Sequence, residues 1–514
     1  MSKIVFINPS MDKIIGSKVW ASPLISVMKG GKNTPMPKLS AMILAAITPE
    51  KHSFVYIDDE FETIEYDEIE ADLIAITSMT VQSSRAYQIA GEFRKKGIPV
   101  VIGGIHAAVR SDEVARHCDA IMIGEGENTW PALLEDFEKG ELKKIYNAKD
   151  YPPVEELVSP RVDIIKHDRY LMYPIQATRG CPNSCDFCSI KYSSGHKYKM
   201  KPVEQVVKEI QEYEKYNDGG IAGALKKAYF FVDDNLYVNR EYTKQLFIAM
   251  KDLNITWDGQ GTLNTAHDDE ILQLMAESGC RSFSFGFESV SPESLKEANK
   301  PKHNKVEDYV TAINNVQKYG IIAGGYFVLG FDSDGVDVFE NTAKFVQDAN
   351  LIQLVFNMLT PYPGTKLYDR IQGEGRIFNR SWEFYNAFSC VYTPKKMSAT
   401  DLQLGYYWAA AEAMTLEHIK KSFANFWKNG PWKTNPPLKP IERIALIYLG
   451  IRLRLNGLGK YQKFLFWVAR QKNAADFRSI VWAMMRHEIS TQIPSYTYYN
   501  PARKKDKNTK TKAA

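Results

Sequence analysis

Three cysteines crowd into one short segment of the chain, Thr178-Arg-Gly-Cys181-Pro-Asn-Ser-Cys185-Asp-Phe-Cys188. Spacings of four and three residues place three thiolates around one point of a loop. Sulfur ligands suit iron, and three cysteines at a four-iron cluster leave one iron open to chelate a small molecule. The segment therefore predicts a [4Fe–4S] cluster held by Cys181, Cys185 and Cys188.

Zinc coordination and chance clustering are the alternatives for this loop. Zinc sites usually use four ligands, often as two Cys-x-x-Cys pairs, and no fourth ligand stands at such a spacing here. His196 lies eight residues beyond Cys188. The remaining cysteines, Cys118, Cys280 and Cys390, lie far apart, which argues against a disulfide framework and favours a reducing compartment.

Two alternating series of strand-like and helical patterns surround the loop. Residues 1–145 predict an α/β domain with a parallel, doubly wound, Rossmann-like sheet. Residues 146–170 contain prolines without periodicity and suit a linker. Residues 171–375 predict an incomplete (β/α)6 barrel of the TIM type. Ligands of both folds bind at the carboxyl ends of the strands, where the cysteine loop stands.

Particular strand-like runs support each series. In the first series they are Lys3–Asn8, His52–Ile57, Leu73–Thr77, Val100–Gly103 and Ala120–Ile123. In the second they are Tyr173–Thr178, Ala228–Asp233, Thr256–Thr262, Ser282–Glu288, Ile321–Leu329 and Ile352–Leu359. Residues 376–514 lose the strand patterns and predict a mainly helical region.

The cysteine loop resembles the signature of the radical S-adenosylmethionine superfamily. Further similar segments are Phe231-Val-Asp-Asp-Asn235, Gly286-Phe-Glu-Ser289 and Gly324-Gly-Tyr-Phe-Val-Leu-Gly330. The resemblance implies that a reduced cluster cleaves S-adenosylmethionine to a 5′-deoxyadenosyl radical, which abstracts hydrogen from an unactivated carbon. It also implies S-adenosylmethionine contacts from Phe187, Asp233, Asp234, Glu288 and Gly330. Taken singly, each carboxylate is equally compatible with a solvated or capping group.

Three segments of the first series stand out: Met36-Pro-Lys-Leu-Ser40 before a helix, and Gly103-Gly-Ile-His106 and Gly124-Glu-Gly-Glu127 at strand ends. This arrangement resembles the cobalamin-binding domain that is fused to many radical S-adenosylmethionine enzymes. The Asp-x-His-x-x-Gly motif that supplies a lower histidine ligand is absent, since Gly104 and Val109 stand at its Asp and Gly positions. His106 is therefore expected beside the corrin as a hydrogen-bonding group. A domain that binds no corrin, or binds a nucleotide, is the alternative. The resemblance implies cobalamin contacts from Met36, Pro37, Ser78, Gly103, Gly104, His106, Gly124, Glu125 and Gly126.

The bulk composition is that of a globular protein. The 514 residues are 44% hydrophobic and 25% charged, which excludes global disorder. The N-terminal MSKIVFINPS leads into a strand rather than a signal peptide, and no run approaches the roughly 20 apolar residues of a membrane span. We therefore expect a cytoplasmic protein.

The net charge of +4 conceals a basic C-terminal region. Residues 416–514 contain 20 Lys and Arg against 5 Asp and Glu. Arg443–Leu455 and Lys460–Arg470 interleave apolar and basic residues, as in helices that lie on anionic lipid. Core helices of a cap domain with a solvated basic face are an equally good interpretation. Nucleic acid is less favoured, because nothing resembles an RNA-binding module. The Lys-rich tail Arg503–Lys512 is expected to be disordered.

The order of the three regions resembles the hopanoid methylase group, and also the anaerobic porphyrin ring cyclases and archaeal lipid ring synthases. The resemblance implies methyl transfer from methylcobalamin to an unactivated carbon of a hydrophobic, lipid- or isoprenoid-like substrate. An electron donor of the flavodoxin or ferredoxin type and a peripheral membrane contact would accompany it. The alternatives are radical ring closure, carbon–carbon bond formation or oxidation without methyl transfer; tRNA or protein modification; and a non-catalytic sensor.

Overall fold

The computed structural model describes residues 1–11, 36–151, 157–190, 192, 198–217, 228–300, 304–429, 437–474 and 477–491. His196 and the tail Arg503–Lys512 lie outside these residues, so the expectations for them stay predictions. Two six-stranded parallel sheets dominate the fold, followed by a helical region. The predicted α/β class and three-part organisation are confirmed.

The N-terminal sheet has the strand order β2-β1-β3-β4-β5-β6, with every pair parallel. The five predicted strands are all present, and the sixth lies at the end predicted for this domain. It continues the sheet to Asn147, two residues into the segment interpreted as a linker. The strands are β1 Lys3–Asn8, β2 Ser53–Asp58, β3 Leu73–Thr77, β4 Val100–Gly103, β5 Ala120–Ile123 and β6 Ile145–Asn147.

Helices cover both faces of this sheet, which is why its strands are apolar on both sides. Ile4, Val5 and Phe6 are all at most 2% exposed although they point alternately to opposite faces. The helices are α1 Leu39–Ala46, α2 Ser83–Lys95, α3 Ile105–Val109, α4 Ser111–Val114 and α5 Gly126–Lys139.

The second sheet is an open barrel of six parallel strands in the order β14-β13-β12-β11-β10-β7. The six predicted βα units are therefore confirmed. A short antiparallel pair, β8 and β9, was not predicted and leads into and out of the cysteine loop. The strands are β7 Met172–Ile175, β8 Thr178–Arg179, β9 Lys199–Met200, β10 Ala228–Phe231, β11 Trp257–Gly261, β12 Cys280–Glu288, β13 Ile322–Leu329 and β14 Gln353–Met358.

The helices of the barrel begin and end at recognisable signals. Asp268 accepts the Ile271 N–H at 3.2 Å and so starts the helix at Asp269. Gly279 follows that helix with φ +97°, and a Cβ there would lie 2.1 Å from the Ile255 carbonyl oxygen. The helices are α6 Val203–Glu214, α7 Arg240–Met250, α8 Asp269–Glu277, α9 Pro292–Glu297, α10 Tyr309–Lys318, α11 Val338–Asp348 and α12 Lys366–Gly373.

The C-terminal region is helical, as predicted. Its first helix starts at a reciprocal cap in which Ser398 and Asp401 bind each other's backbone N–H groups. None of the helices among the described residues has both the length and the apolar character required to cross a bilayer. The helices are α13 Ala399–Ala413, α14 Leu416–Asn429, α15 Pro440–Leu455, α16 Gly459–Arg470 and α17 Phe477–Thr491.

One apolar core runs from the N-terminal domain through the barrel into the C-terminal helices. The Tyr213 hydroxyl of α6 reaches the Met42 sulfur of α1 at 3.5 Å. Tyr170, in the segment interpreted as a linker, is fully buried and donates to Asp58 at 2.9 Å. The two sheets are thus held together by apolar packing as well as by the connecting chain.

Candidate active site

The cysteine loop leaves β8 through Gly180, which turns the chain with φ +94°. The three cysteines are half-buried. The loop is fastened at Asp186, whose N–H donates to the Ala298 carbonyl at 3.2 Å and whose carbonyl accepts the Leu367 N–H at 3.1 Å. The ends of two barrel helices, α9 and α12, therefore position the loop at the carboxyl edge of the barrel.

The thiols of the loop influence one another. Burial raises the pKa of Cys185 to about 11, and the neighbouring Cys188 and Cys181 add to this effect. Burial also raises the pKa of Cys181 and of Cys188, against hydrogen bonds from the backbone of Asn183 and Ile190. All six cysteines of the chain are free thiols.

This donor set fits an iron–sulfur cluster. Within the described ranges, no three His, Cys, Asp or Glu side chains converge closely enough to hold a single metal ion. A four-iron cluster spreads its ligands more widely, because each thiolate binds a different iron. Ligation by Cys181, Cys185 and Cys188 stays a prediction that the chemistry of the loop supports.

Asp233 and Asp234 follow β10 and turn to different partners. Asp233 is fully buried and accepts the Thr178 hydroxyl at 2.6 Å and the Ala177 N–H at 3.2 Å. Burial raises its pKa to about 7, although these hydrogen bonds oppose the shift. Asp234 accepts the Gly180 N–H at 3.0 Å. Both carboxylates thus hold the backbone that enters the cysteine loop, and their contact with S-adenosylmethionine stays a prediction.

Glu288 ends β12 in the left-handed region, with φ +63°. Its carboxylate pairs with the half-buried Lys300 ammonium at 2.8 Å. Gly286 leaves room for this pair, because a Cβ there would lie 2.4 Å from the Glu288 Oε1. Burial opposes protonation of Lys300, but Glu288 and then the Cys185 thiol raise its pKa. Lys300 therefore brings a positive charge beside the predicted cluster ligands.

The other two residues predicted to contact S-adenosylmethionine lie on either side of Phe331. The Phe187 ring meets the Phe331 ring edge-on at 6.4 Å. Gly330 has φ +110°, and a Cβ there would lie 2.8 Å from both Leu402 and the Tyr392 hydroxyl. The packing of α13 and the segment before it therefore explains why residue 330 is glycine.

At most of the glycines at the N-terminal strand ends, protein atoms block the position that a Cβ would take, although Gly104 and Gly124 are themselves exposed. A Cβ at Gly104 would lie 2.7 Å from the Ser78 carbonyl oxygen, and one at Gly124 would lie 2.8 Å from the Ala148 Cβ. At Gly126 it would lie 2.8 Å from Leu44. Only Gly103, with Met122 at 3.5 Å, would leave ordinary van der Waals spacing. Internal packing explains Gly104 and Gly124, whereas the atom closest to a Cβ at Gly126 is the flexible end of the Leu44 side chain.

Ser78 and the residues before α1 complete the predicted cobalamin set. Ser78 is buried; its N–H donates to the Gly103 carbonyl at 3.0 Å and its carbonyl accepts the His106 N–H at 3.1 Å. Pro37 is buried and Met36 is half-buried, immediately before α1. Contact of these residues with a corrin stays a prediction.

His106 is fully buried among polar partners. Its Nε2 lies 3.0 Å from the Tyr87 hydroxyl, and its Nδ1 lies 3.4 Å from the Thr80 hydroxyl. The Trp382 ring meets the imidazole edge-on at 5.5 Å. Both ring nitrogens are engaged by the protein, which agrees with the missing lower-ligand motif.

Glu113 joins this histidine to the region beyond the barrel. Its carboxylate accepts the Trp382 indole N–H at 2.7 Å and the Tyr87 hydroxyl at 3.1 Å. Burial would raise its pKa, but hydrogen bonds from His106, Trp382 and Tyr87 outweigh burial and lower the pKa to about 2. Trp382 therefore anchors the post-barrel segment on the N-terminal domain.

Arg179 directly connects the carboxyl-terminal edge of the barrel sheet with that of the N-terminal sheet. The guanidinium stands two residues before Cys181 and donates to Glu125 at 3.1 Å and to Glu127 at 2.8 Å. Lys199 of β9 adds a 2.5 Å contact with Glu125. Arg179 is 9% exposed, so this group of charged side chains is shielded from water. Glu125, predicted to contact cobalamin, thus binds the barrel through two cations.

A second contact shows that the carboxyl ends of the two sheets face each other. A Cβ at Gly364, beyond β14, would lie 2.9 Å from Val109 at the end of α3. The cysteine loop and the glycine-rich strand ends therefore border one region between the sheets.

Sequence reasoning missed Arg179, Lys300 and Trp382. Arg179 carried a signal, since it adjoins the cysteine loop and the alternating acids of Gly124-Glu-Gly-Glu127 offer it complementary charge. Lys300 carried none, because no motif links it to Glu288 twelve residues earlier. Trp382 carried none, because its partner Glu113 lies 269 positions away along the chain.

Two conserved domain types match the chain. Residues 32–134 match the B12 binding domain, and residues 175–346 match the Radical SAM superfamily. Among solved structures, the cobalamin-dependent S-adenosylmethionine radical enzyme OxsB, with aqua-cobalamin and S-adenosylmethionine bound, superposes with a TM-score of 0.63. It is 14% identical in sequence, and the match covers 100% of this chain and 81% of that one. This likeness supports the fold.

Three relatives match over most of their length. Bacteriochlorophyllide d C-8(2)-methyltransferase of Chlorobaculum tepidum is 31% identical, over 70% of this chain and 81% of its own. Hopanoid C-2 methylase of Rhodopseudomonas palustris is 26% identical, over 73% and 71%. Anaerobic magnesium-protoporphyrin IX monomethyl ester cyclase of Rubrivivax gelatinosus is 24% identical, over 92% and 87%.

Proposed function

The chain belongs to the cobalamin-dependent radical S-adenosylmethionine enzymes, whose cofactors are a [4Fe–4S] cluster, S-adenosylmethionine and cobalamin, and from this premise we propose its reaction. The protein transfers a methyl group to an unactivated carbon of a hydrophobic small molecule. The relatives named for methyl transfer to a bacteriochlorophyllide and to a hopanoid support this proposal.

The contact between the two strand edges carries the proposal. Arg179, at the entrance to the cysteine loop, is bonded to Glu125 and Glu127 at the end of the N-terminal sheet. A group bound at one edge and a group bound at the other would share one region. Methyl transfer that uses a radical and cobalamin together requires this proximity.

When bound, the cluster would supply the electron that cleaves S-adenosylmethionine, and cobalamin would supply the methyl group. The protein positions these cofactors and shields them from water. Cys181, Cys185 and Cys188 would hold the cluster, and Asp233 and Asp234 hold the backbone that enters their loop. Glu288 holds the Lys300 ammonium at 2.8 Å, and this ion pair lies beside the thiols. Leu402 of α13 packs against Gly330 at the end of β13.

The substrate and partners complete the proposal. An enzyme of this kind acts on a small molecule and needs a reductant. We propose that the small molecule is lipid-, isoprenoid- or tetrapyrrole-like, as the substrates in the relatives' names are, and that the reductant is of the flavodoxin or ferredoxin type. A peripheral contact of the C-terminal region with a membrane would suit such a substrate.

Radical ring closure without methyl transfer is the second candidate. The cyclase relative is matched over 92% of this chain, so its similarity extends into the C-terminal region. The glycine-rich domain would then serve a different use of the corrin. The two candidates differ in their products rather than in their cofactors.

The test is anaerobic reconstitution with iron, sulfide and cobalamin, followed by incubation with a reductant, a lipid and tetrapyrrole extract, and S-adenosylmethionine deuterated in its methyl group. Methyl transfer predicts 5′-deoxyadenosine, S-adenosylhomocysteine and a product heavier by a labelled methyl group. Cyclisation predicts 5′-deoxyadenosine without S-adenosylhomocysteine, which would contradict the first proposal. The Cys185→Ala protein is the control that should form none of these products.

A further inference from the structure

Helix α15 has two faces of opposite character. Leu446 and Leu453 are fully buried, and Gly450 lets α15 approach Phe466 of α16 so closely that a Cβ would lie 3.1 Å from the ring. The other face is apolar and exposed. It carries a row of large side chains that are between 41% and 81% exposed, namely Ile441, Ile444, Ile447, Tyr448, Ile451 and Leu455.

The six exposed side chains form one continuous stripe. At about 100° per residue, they fall within a sector of roughly 120° on the side opposite the buried face. Isolated exposed apolar residues are common on protein surfaces, but a contiguous row marks an interaction surface. We call this row the α15 stripe.

Positive charge brackets the α15 stripe. Arg452 and Arg454 are exposed, and helical geometry places them at its two edges. Neither guanidinium forms an ion pair within the described part of the chain. Glu442 is the one acidic residue in the sequence of α15, and its carboxylate is engaged by the Lys439 N–H at 2.6 Å. The region from residue 416 onward has 20 basic and 5 acidic residues.

We propose that α15 docks on the surface of an anionic lipid bilayer. The α15 stripe would lie among the acyl chains. The aliphatic parts of the two arginine side chains would lie beside it, and their guanidinium groups would reach the lipid phosphates. A second copy of the chain fits less well, because a symmetric pairing would place four arginines at one interface, and the sequence of α15 offers Glu442 alone as an acidic partner. This inference rests on the proposed function in one respect, since a docked enzyme could take an apolar substrate from the membrane.

The experiment measures co-sedimentation of the reconstituted full-length protein with unilamellar vesicles, without turnover. Vesicles of phosphatidylcholine mixed with phosphatidylglycerol should bind the protein, and binding should weaken with added NaCl. The stripe variant Ile444→Gln/Ile451→Gln/Leu455→Gln should bind at least about tenfold more weakly. The charge variant Arg452→Gln/Arg454→Gln should lose about tenfold to thirtyfold on anionic vesicles and little on phosphatidylcholine alone.

The matched control places the same substitution at three exposed apolar residues on separate surfaces. Ile145→Gln/Ile248→Gln/Val310→Gln removes side chains that are 47–49% exposed and should bind vesicles like the wild type. Circular dichroism must show that each variant is folded. If the stripe variant is not folded, the single variant Ile444→Gln replaces it.

The proposal is overturned if the wild-type protein does not bind anionic vesicles, or if the stripe variant binds them as well as the wild type does. A loss of dimer mass by light scattering, without vesicle binding, would assign the stripe to a second copy. Because no product is measured, failure here leaves the proposed reaction untouched.

Discussion

The cysteine loop and the glycine-rich strand ends face each other across the two sheets, yet their characteristic residues have different surroundings. In the loop, the backbone hydrogen bonds that act on the thiols of Cys181 and Cys188 come from Asn183 and Ile190 of the same segment, while the charged Asp234, Lys300 and Glu288 act from outside it. At the strand ends, protein atoms block the Cβ positions of Gly104 and Gly124, and His106 has partners at both nitrogens.

The comparison shows that closely spaced motif residues at a strand end can either bind a ligand or allow close packing. The cysteine spacing keeps reactive groups available, whereas the glycine-rich spacing lets protein segments approach each other. Glu125 and Glu127 belong to the second kind, since they hold Arg179 and thereby the entrance to the cysteine loop. Predictions that separate ligand-binding from packing roles test this comparison directly.

The largest expected effect is that of Cys185→Ala. The reconstituted variant should lose its cluster and lower S-adenosylmethionine cleavage more than about 1,000-fold, because no other thiol can replace the ligand. Its melting temperature should stay close to that of the wild type. Iron content and 5′-deoxyadenosine formation measure the effect. Cys390→Ala, which removes a half-buried thiol elsewhere, should keep its iron; equal losses in both variants would contradict a dedicated loop.

Arg179→Ala should destabilise the protein by about 3–5 kcal/mol, because it leaves a buried carboxylate without its cation. The Glu127 side chain is only 5% exposed. Urea unfolding at neutral pH measures the loss. Arg161→Ala breaks an exposed pair with Asp163, in which both side chains are at least 45% exposed, and should cost less than about 1 kcal/mol. Addition of Glu125→Gln and Glu127→Gln to Arg179→Ala should recover part of the stability; no recovery would argue against the pairing.

Gly104→Ala and Gly97→Ala compare a glycine whose Cβ position is blocked with one whose Cβ position is open. Both glycines have positive φ, +94° and +77°, but only Gly104 would place its Cβ against backbone atoms. We expect about 1 kcal/mol for Gly97→Ala and about 2–4 kcal/mol for Gly104→Ala, since overpacking adds to the conformational cost. Thermal unfolding compares the two. Similar costs would mean that packing against Ser78 is not the reason for this glycine.

The smallest expected effect is the contribution of Glu113 to the pH dependence of stability, which appears only at acidic pH. Because the pKa of Glu113 is lowered from 4.5 to about 2 in the folded protein, its contribution to stability is complete above pH 4.5 and disappears as the pH falls toward 2. Across this window the loss should be about 1–3 kcal/mol. Glu113→Gln should flatten the corresponding part of the stability–pH curve. Glu65→Gln, at an exposed carboxylate, should leave the curve unchanged; a parallel curve for Glu113→Gln would contradict the assignment.

Much of the fold could be predicted because periodicity is local. Some of the parallel strands, for example Lys3–Asn8 and Leu73–Thr77, have the bounds that their apolar runs predicted. Others differ by up to three residues, as Met172–Ile175 does from the predicted run Tyr173–Thr178. The sequence did not predict the three-residue strand Ile145–Asn147 or the pair β8 and β9, since strands of two or three residues are too short to show a hydrophobic pattern. The C-terminal helices were predicted as a class, but which of their faces are buried was not.

The sequence by itself determined the three-cysteine loop and the alternation that places it at a strand end, because eight consecutive residues and a repeating apolar pattern need no distant partner. Only the tertiary structure decided what Arg179, His106 and α15 contact. Arg179 meets Glu125 across 54 positions of the chain, and Trp382 meets Glu113 across 269. Such contacts arise from charge and shape complementarity between separate segments, and spacing along the chain does not encode them.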